Sequence, residues 1–186
     1  MRRGFKAYSE RKALEVRQLI GVKPNSRIDC PKFAESQGFI IWGPNDVPNL
    51  DPAHAQQLLS TDPDSWSGLT VRLGANAIIV VNSAHTPGRQ ANTIMHEWAH
   101  VELNHKPSRV DDFGNGLLLL SEYPSDFEEE ADWLAAAVLL PREGLLDARR
   151  SETNVSGLAD RFGVSMELVK WRLRMTGIDR QLAGRV

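Results

Sequence analysis

The stretch Ile94-Met95-His96-Glu97-Trp98-Ala99-His100-Val101-Glu102-Leu103 decides how the rest of the chain is read. It is apolar apart from His96, Glu97, His100 and Glu102, and it follows Pro87, a residue suited to the first turn of a helix. A helix from Pro87 to Leu103 puts residues four apart on one face, with Cβ atoms about 5–6 Å from each other. His96 and His100 then offer two imidazoles to one metal ion. Glu97, displaced by one residue, reaches water beside that ion rather than the ion itself. The set suits metal-assisted hydrolysis: zinc brings the pKa of water to about 7, and a carboxylate takes the proton and later passes it to the leaving amine. Chance places His-Glu-x-x-His in about one such chain in a hundred, so the motif needs support from its context. The apolar helix supplies it, because uncompensated polar groups there would be costly.

A catalytic zinc commonly has three protein ligands and one open position. The metzincin continuation Gly-x-x-His is missing, since Leu103 and Lys106 stand at those places. On an unbroken helix His105, nine residues after His96, points about 180° away from it. It reads as a helix-terminal imidazole near the C-terminal dipole. The remaining source is Glu128-Glu129-Glu130-Ala131-Asp132, in a helix expected over Asp126 to Leu140 and stopped by Pro141. Glu128, Ala131, Asp132 and Ala135 share a face, and the two alanines permit close approach to the histidine helix. Glu128 is therefore the expected third ligand, with Asp132 accepting the second ring N–H of a ligating histidine. An alternative stays open: Ser125-x-x-Glu128 also matches a capping box, which would leave Glu130 as the ligand.

Outward from this pair of helices the pattern is α+β, mainly helical. Phe5 to Ile20 reads as an amphipathic helix ending at Gly21, and Pro31 to Gln37 as a short helix stopped by Gly38. Phe39 to Trp42, Leu69 to Leu73 and Ala77 to Val81 read as strands, the last two joined by the hairpin signal Gly74-Ala75-Asn76. The expectation is a small antiparallel three-stranded sheet beside the HExxH helix. Asp51-Pro52 opens a helix running to Leu59. Val155 to Met175 reads as a helix-turn-helix-like bundle with Gly163 at its turn and Ser165 as a cap. No repeat or linker divides the chain, so one domain over 1–186 is expected, with a zinc-site core at 78–141 and a C-terminal helical segment at 142–186.

Composition excludes other classes. With 22 Lys+Arg against 24 Asp+Glu the chain has no bulk field for gripping phosphate backbones. Lys170, Arg172 and Arg174 sit two apart and spread around their helix, so no direct nucleic-acid binding is expected. The apolar runs Leu134 to Leu140 and Leu117 to Leu120 are far shorter than the roughly 20 residues of a membrane span. A single Cys30 and an opening MRRGFKAYSERK without an apolar core point to the cytoplasm.

HEWAH, followed by EEEADWLAAAVLLP, resembles the ImmA/IrrE family of zinc metallopeptidases, whose signature is HExxH and then ExEA(N/D)xFAxxLLxP. The resemblance extends to Val80-Val81-Asn82, Arg89-Gln90 and Thr93-Ile94 upstream, and to Leu158-Ala159, Phe162-Gly163-Val164-Ser165 and Arg172-Leu173 downstream. Trp133-Leu134 and the polar Val101 to His105 segment depart from the family pattern without touching a proposed ligand. The resemblance implies an intracellular endopeptidase that cleaves a narrow set of proteins, typically helix-turn-helix transcriptional repressors, and so releases mobile-element, phage or stress-response genes. The cofactor expected is one Zn2+ per chain, with Mn2+ or another divalent ion suiting the same ligands. The rival reading is a zinc-containing, non-proteolytic partner-binding or toxin-associated regulator. Tyr123 is a candidate oxyanion donor. His54, His85 and Arg172 are candidates on the same footing, and for each of the four an ordinary surface or packing role is the commoner reading.

Overall fold

A computed structural model describes residues 1–73, 76–112 and 117–184. Alternation in Leu69-Thr70-Val71-Arg72-Leu73 makes β2 (Gly68–Leu73) the centre of the sheet, with Thr70 buried on the face toward the helices. Its neighbours are β3 (Asn76–Val81) on one side and β5 (Leu117–Ser121) on the other, both antiparallel to it. β1 (Phe39–Trp42) lies beyond β3 and β4 (Arg109–Asp112) beyond β5, giving the order β1-β3-β2-β5-β4.

The expected three-stranded antiparallel sheet is thus corrected in two ways. First, Phe39–Trp42 runs parallel to β3, with Phe39 opposite Ala77 and Trp42 opposite Val80. Parallel neighbours need a long crossover. Here it is the Gly43 to Ser67 excursion, with α3 (Pro52–Gln56) and a π-helical turn over Gln57–Thr61, followed by β2. That π turn replaces the last part of the helix expected over Pro52 to Leu59. Second, the sheet has five strands. Arg109-Val110-Asp111-Asp112 carries no apolar alternation, and four leucines in a row do not discriminate strand from helix. Of the expected hairpin turn, Gly74 and Ala75 lie outside the described residues, while Leu73 faces Asn76 across the β2–β3 ladder.

The helices make up most of the molecule. α1 (Phe5–Leu19) and α4 (Pro87–Glu102) flank α5 (Ser125–Leu139), whose Ala131, Leu134, Ala135, Ala137 and Val138 are fully buried. α2 (Cys30–Ser36) packs between α4 and β1, where Phe33 meets Trp98 edge-on with centroids 5.1 Å apart. α6 (Arg142–Ser151), α7 (Val155–Phe162), α8 (Met166–Thr176) and α9 (Ile178–Ala183) complete the chain, and Leu145, Leu158, Phe162, Val169, Leu173 and Ile178 join the same core. No helix of the described residues is long and apolar enough to cross a membrane.

Two contacts bring the sheet and the C-terminal helices onto α4. At Gly68 a Cβ would lie 2.4 Å from Thr93 Cγ2, and at Gly88 it would lie 2.7 Å from the Val164 backbone. Pro141 ends α5 without a glycine cap, and two buried arginines do that work instead. Arg17 Nε and Nη2 donate to the Val138 and Leu139 carbonyls at 2.8 and 2.7 Å. Arg172 Nε and Nη2 donate to the Leu140 carbonyl at 3.1 and 2.9 Å, and Nη2 also meets Glu10 at 2.6 Å. These contacts satisfy carbonyls that a helix end leaves without partners. They also hold Arg172 inside the protein, away from any surface that could meet DNA.

Candidate metal centre

Pro87 opens α4 after the Thr86 cap, and the helix ends at Glu102. The chain then turns through Asn104, at φ 52°, and the His105 N–H donates to the His100 carbonyl at 2.9 Å. Asn tolerates this left-handed backbone better than most residues. The helix is therefore not unbroken to His105: the residue sits at the end of α4 as expected, but its side chain does not take the direction that a continued helix would give it. His105 folds back under His100, buried, with its Nδ1 3.1 Å from His100 Nδ1 and its ring stacked on Phe127 at 4.4 Å.

α5 begins after Pro124, and no side chain caps it, so Ser125 and Glu128 do not form the capping box. Glu128 instead turns to the histidine pair, on a first turn whose dipole favours a carboxylate. His96 Nε2 and His100 Nε2 are 3.0 Å apart, and Glu128 Oε2 is 3.2 Å from the first and 3.7 Å from the second. A tetrahedral ion with bonds of about 2.0–2.1 Å needs donors about 3.3–3.4 Å apart. The triangle has that size, and its two nitrogens and one oxygen are borderline donors of the right chemistry, so the cluster can hold a metal ion.

The surroundings organise these donors. Asp132, one turn beyond Glu128, approaches His96 Nδ1 at 2.9 Å, leaving Nε2 to face the cluster. Burial pushes His96 down, but the contacts with Asp132 and Glu128 and the charge of Glu97 outweigh it and raise its pKa to about 10. The same contacts, from His100 first and then His96, hold Glu128 down at about 2 against its desolvation. Glu130, the alternative ligand, lies elsewhere. Its carboxylate accepts from the Arg2 N–H and Nε at 2.8 and 3.0 Å and pairs with Arg2 Nη2 at 2.7 Å.

Glu97 is turned toward the sheet, where the Thr70 hydroxyl donates to its Oε2 at 2.6 Å. Tyr123 follows Glu122, whose φ of 56° is a left-handed conformation for a non-glycine residue, and its ring stacks on His100 with centroids 3.7 Å apart. Burial, then the charges of Glu97 and Glu128, push the phenol up to about 12, so it keeps its proton. His85 is buried against Asn82 and the Pro63 carbonyl, and His54 lies on exposed α3, so neither joins the cluster. Thr70 is the residue that sequence reasoning passed over. Its signal was a polar side chain on the strand face opposite Leu69 and Val71.

A mixed sheet backs a helix with two histidines, and a neighbouring helix adds a carboxylate, so the three donors form a cluster that could hold a cation. The family model Peptidase_M78, described as the IrrE N-terminal-like domain, matches residues 54–174, from α3 into α8. The chain belongs to that family and carries a peptidase domain, whose substrate is a protein. No curated protein and no solved structure matches the chain.

Proposed function

We propose that this chain is a zinc-dependent endopeptidase in which His96, His100 and Glu128 hold the metal and Glu97 is the catalytic base. The observation that carries the reading is the donor triangle of 3.0, 3.2 and 3.7 Å, formed by side chains from two helices. A divalent ion bound there supplies Lewis-acid chemistry, acidifying water and polarising a scissile carbonyl. Glu97 takes the proton of the attacking water and delivers it to the departing amine. Thr70 keeps the Glu97 carboxylate in one rotamer, and the protonated Tyr123 phenol donates to the oxygen that gains charge as the carbonyl is attacked. Asp132 holds His96 in the tautomer that presents Nε2.

The substrate class rests on the family rather than on the geometry: a helix-turn-helix transcriptional repressor, whose cleavage in the cytoplasm releases mobile-element, phage or stress-response genes. The whole chain, 1–186, acts as one metallopeptidase domain, and its α7–α8 pair packs on the catalytic helix at Gly88.

Purified wild-type, Glu97→Gln and His100→Ala proteins, assayed for metal content and for cleavage of a helix-turn-helix repressor encoded nearby, test the proposal. About one zinc per chain in the first two, with cleavage only in the wild type, is the expected result. Cleavage that survives Glu97→Gln would overturn it.

A further inference from the structure

We infer that the buried His105 and Glu130, held from the surface by Arg2, form a relay that fixes the tautomer of His100 and thereby strengthens metal binding; the inference rests on the reading of His96, His100 and Glu128 as a metal site. The distances define the chain of contacts. His100 Nδ1 and His105 Nδ1 are 3.1 Å apart, His105 Nε2 and Glu130 Oε2 are 3.5 Å apart, and Arg2 grips Glu130 through its N–H, Nε and Nη2. His100, His105 and Glu130 are all buried.

Two ring nitrogens that face each other share one proton, so one must donate and the other accept. His100 Nε2 faces His96 Nε2 and Glu128, where a ligand needs its lone pair, and this places the His100 proton on Nδ1. His105 Nδ1 is then the acceptor, and the His105 proton sits on Nε2. That atom is buried and meets no other hydrogen-bonding group among the described residues, and it looks toward the Glu130 carboxylate. At 3.5 Å this last contact is long for a hydrogen bond and acts as a dipole against a charge. A carboxylate in such a place needs a cation, which Arg2 provides. The ring of His105 cannot simply turn away, because it stacks on Phe127 with an interplanar angle of 4°.

The arrangement explains why Glu130, the buried member of the Glu128-Glu129-Glu130 run, lies inside the protein although it takes no part in the donor triangle. Glu130 orients the imidazole behind the ligand, whereas Glu128 meets the ligands themselves. His105 is a positioning residue, acting on the metal through His100.

The test measures zinc affinity, by competition with a chromophoric chelator, for wild type, His105→Phe and His105→Asn, with thermal unfolding of each metal-free protein as the control for folding. Phe keeps the stacking shape but offers no acceptor, so zinc affinity should fall about 10- to 100-fold; Asn places an amide oxygen near the position of Nδ1 and should stay within about threefold of wild type. Long-range 1H–15N correlation spectra of the zinc-loaded wild type should show protons on His100 Nδ1 and His105 Nε2. Wild-type binding with unchanged affinity in His105→Phe, or a His105 proton on Nδ1, overturns the relay while leaving the metal site standing. A wild type that binds no zinc removes both.

Discussion

Thr70 and Glu97, on β2 and α4, are joined by a 2.6 Å hydrogen bond that ties the histidine-bearing helix to the centre of the sheet. Thr70 is fully buried and its hydroxyl has the Glu97 carboxylate as its partner. Thr70→Val keeps the shape of the side chain and removes the donor. Peptidase turnover should fall about 10- to 100-fold, because a misplaced base loses its alignment with the reacting atoms, while metal content stays at the wild-type level. Turnover equal to wild type, with metal bound, would show that Glu97 needs no such support.

Tyr123 lies against His100 and keeps its proton to a pKa of about 12. Tyr123→Phe preserves the stacking and deletes the donor. If the phenol serves the oxyanion, kcat should drop about 10²-fold or more with little change in KM, as for other oxyanion donors. A change confined to KM would assign Tyr123 to substrate binding instead.

The metal-free cluster makes stability depend on pH in two windows. His96 rises from an ordinary 6.5 to about 10, so its contribution is complete below about pH 6.5 and is lost as the pH climbs toward 10. Glu128 falls from 4.5 to about 2, so its contribution is complete above about pH 4.5 and is lost as the pH drops toward 2. Thermal unfolding of chelator-treated protein between pH 2 and pH 10 should show Tm declining on both flanks, with Glu128→Gln flattening the acid one. At pH 7 zinc must displace the His96 proton, and calorimetry in buffers of different ionisation enthalpy should register about one proton released per ion.

Arg17, with 1% of its surface exposed, has no carboxylate partner among the described residues and donates to four backbone carbonyls, those of Lys23, Ser26, Val138 and Leu139. Desolvation pushes its pKa down to about 10. Arg17→Met fills the volume yet strands those acceptors, at a cost of about 3 kcal/mol. For a chain of this size that corresponds to a Tm lower by about 6–12 °C in a denaturation scan. A Tm within about 2 °C of wild type would mean that water replaces the guanidinium.

The helices were legible in the sequence because their signals are local. Pro87 after Thr86, Ser165 before Met166 and Pro141 after Leu140 mark their ends, and the 3.6-residue period places His96 with His100 and Glu128 with Asp132 without any knowledge of the rest of the chain. Strand pairing depends on distant partners, and it was read less well. Leu117 to Leu120 has no period of its own, and only its place beside β2 makes it a strand; Phe39 to Trp42 has the right residues, but its direction is set by the crossover that follows.

The same division runs through the site. Residue types and spacing determined which side chains can offer two imidazoles and a carboxylate. Which glutamate of the 128–130 run meets them was a matter of packing: Arg2, from the opposite end of the sequence, holds Glu130, and the absence of a Ser125 cap leaves Glu128 to the histidines. His105 shows the limit most plainly. A helical wheel turns it away from His100, yet a single left-handed residue, Asn104, brings the two Nδ1 atoms to 3.1 Å. Period fixes direction only while the helix lasts, and beyond its end tertiary contacts decide where a side chain goes.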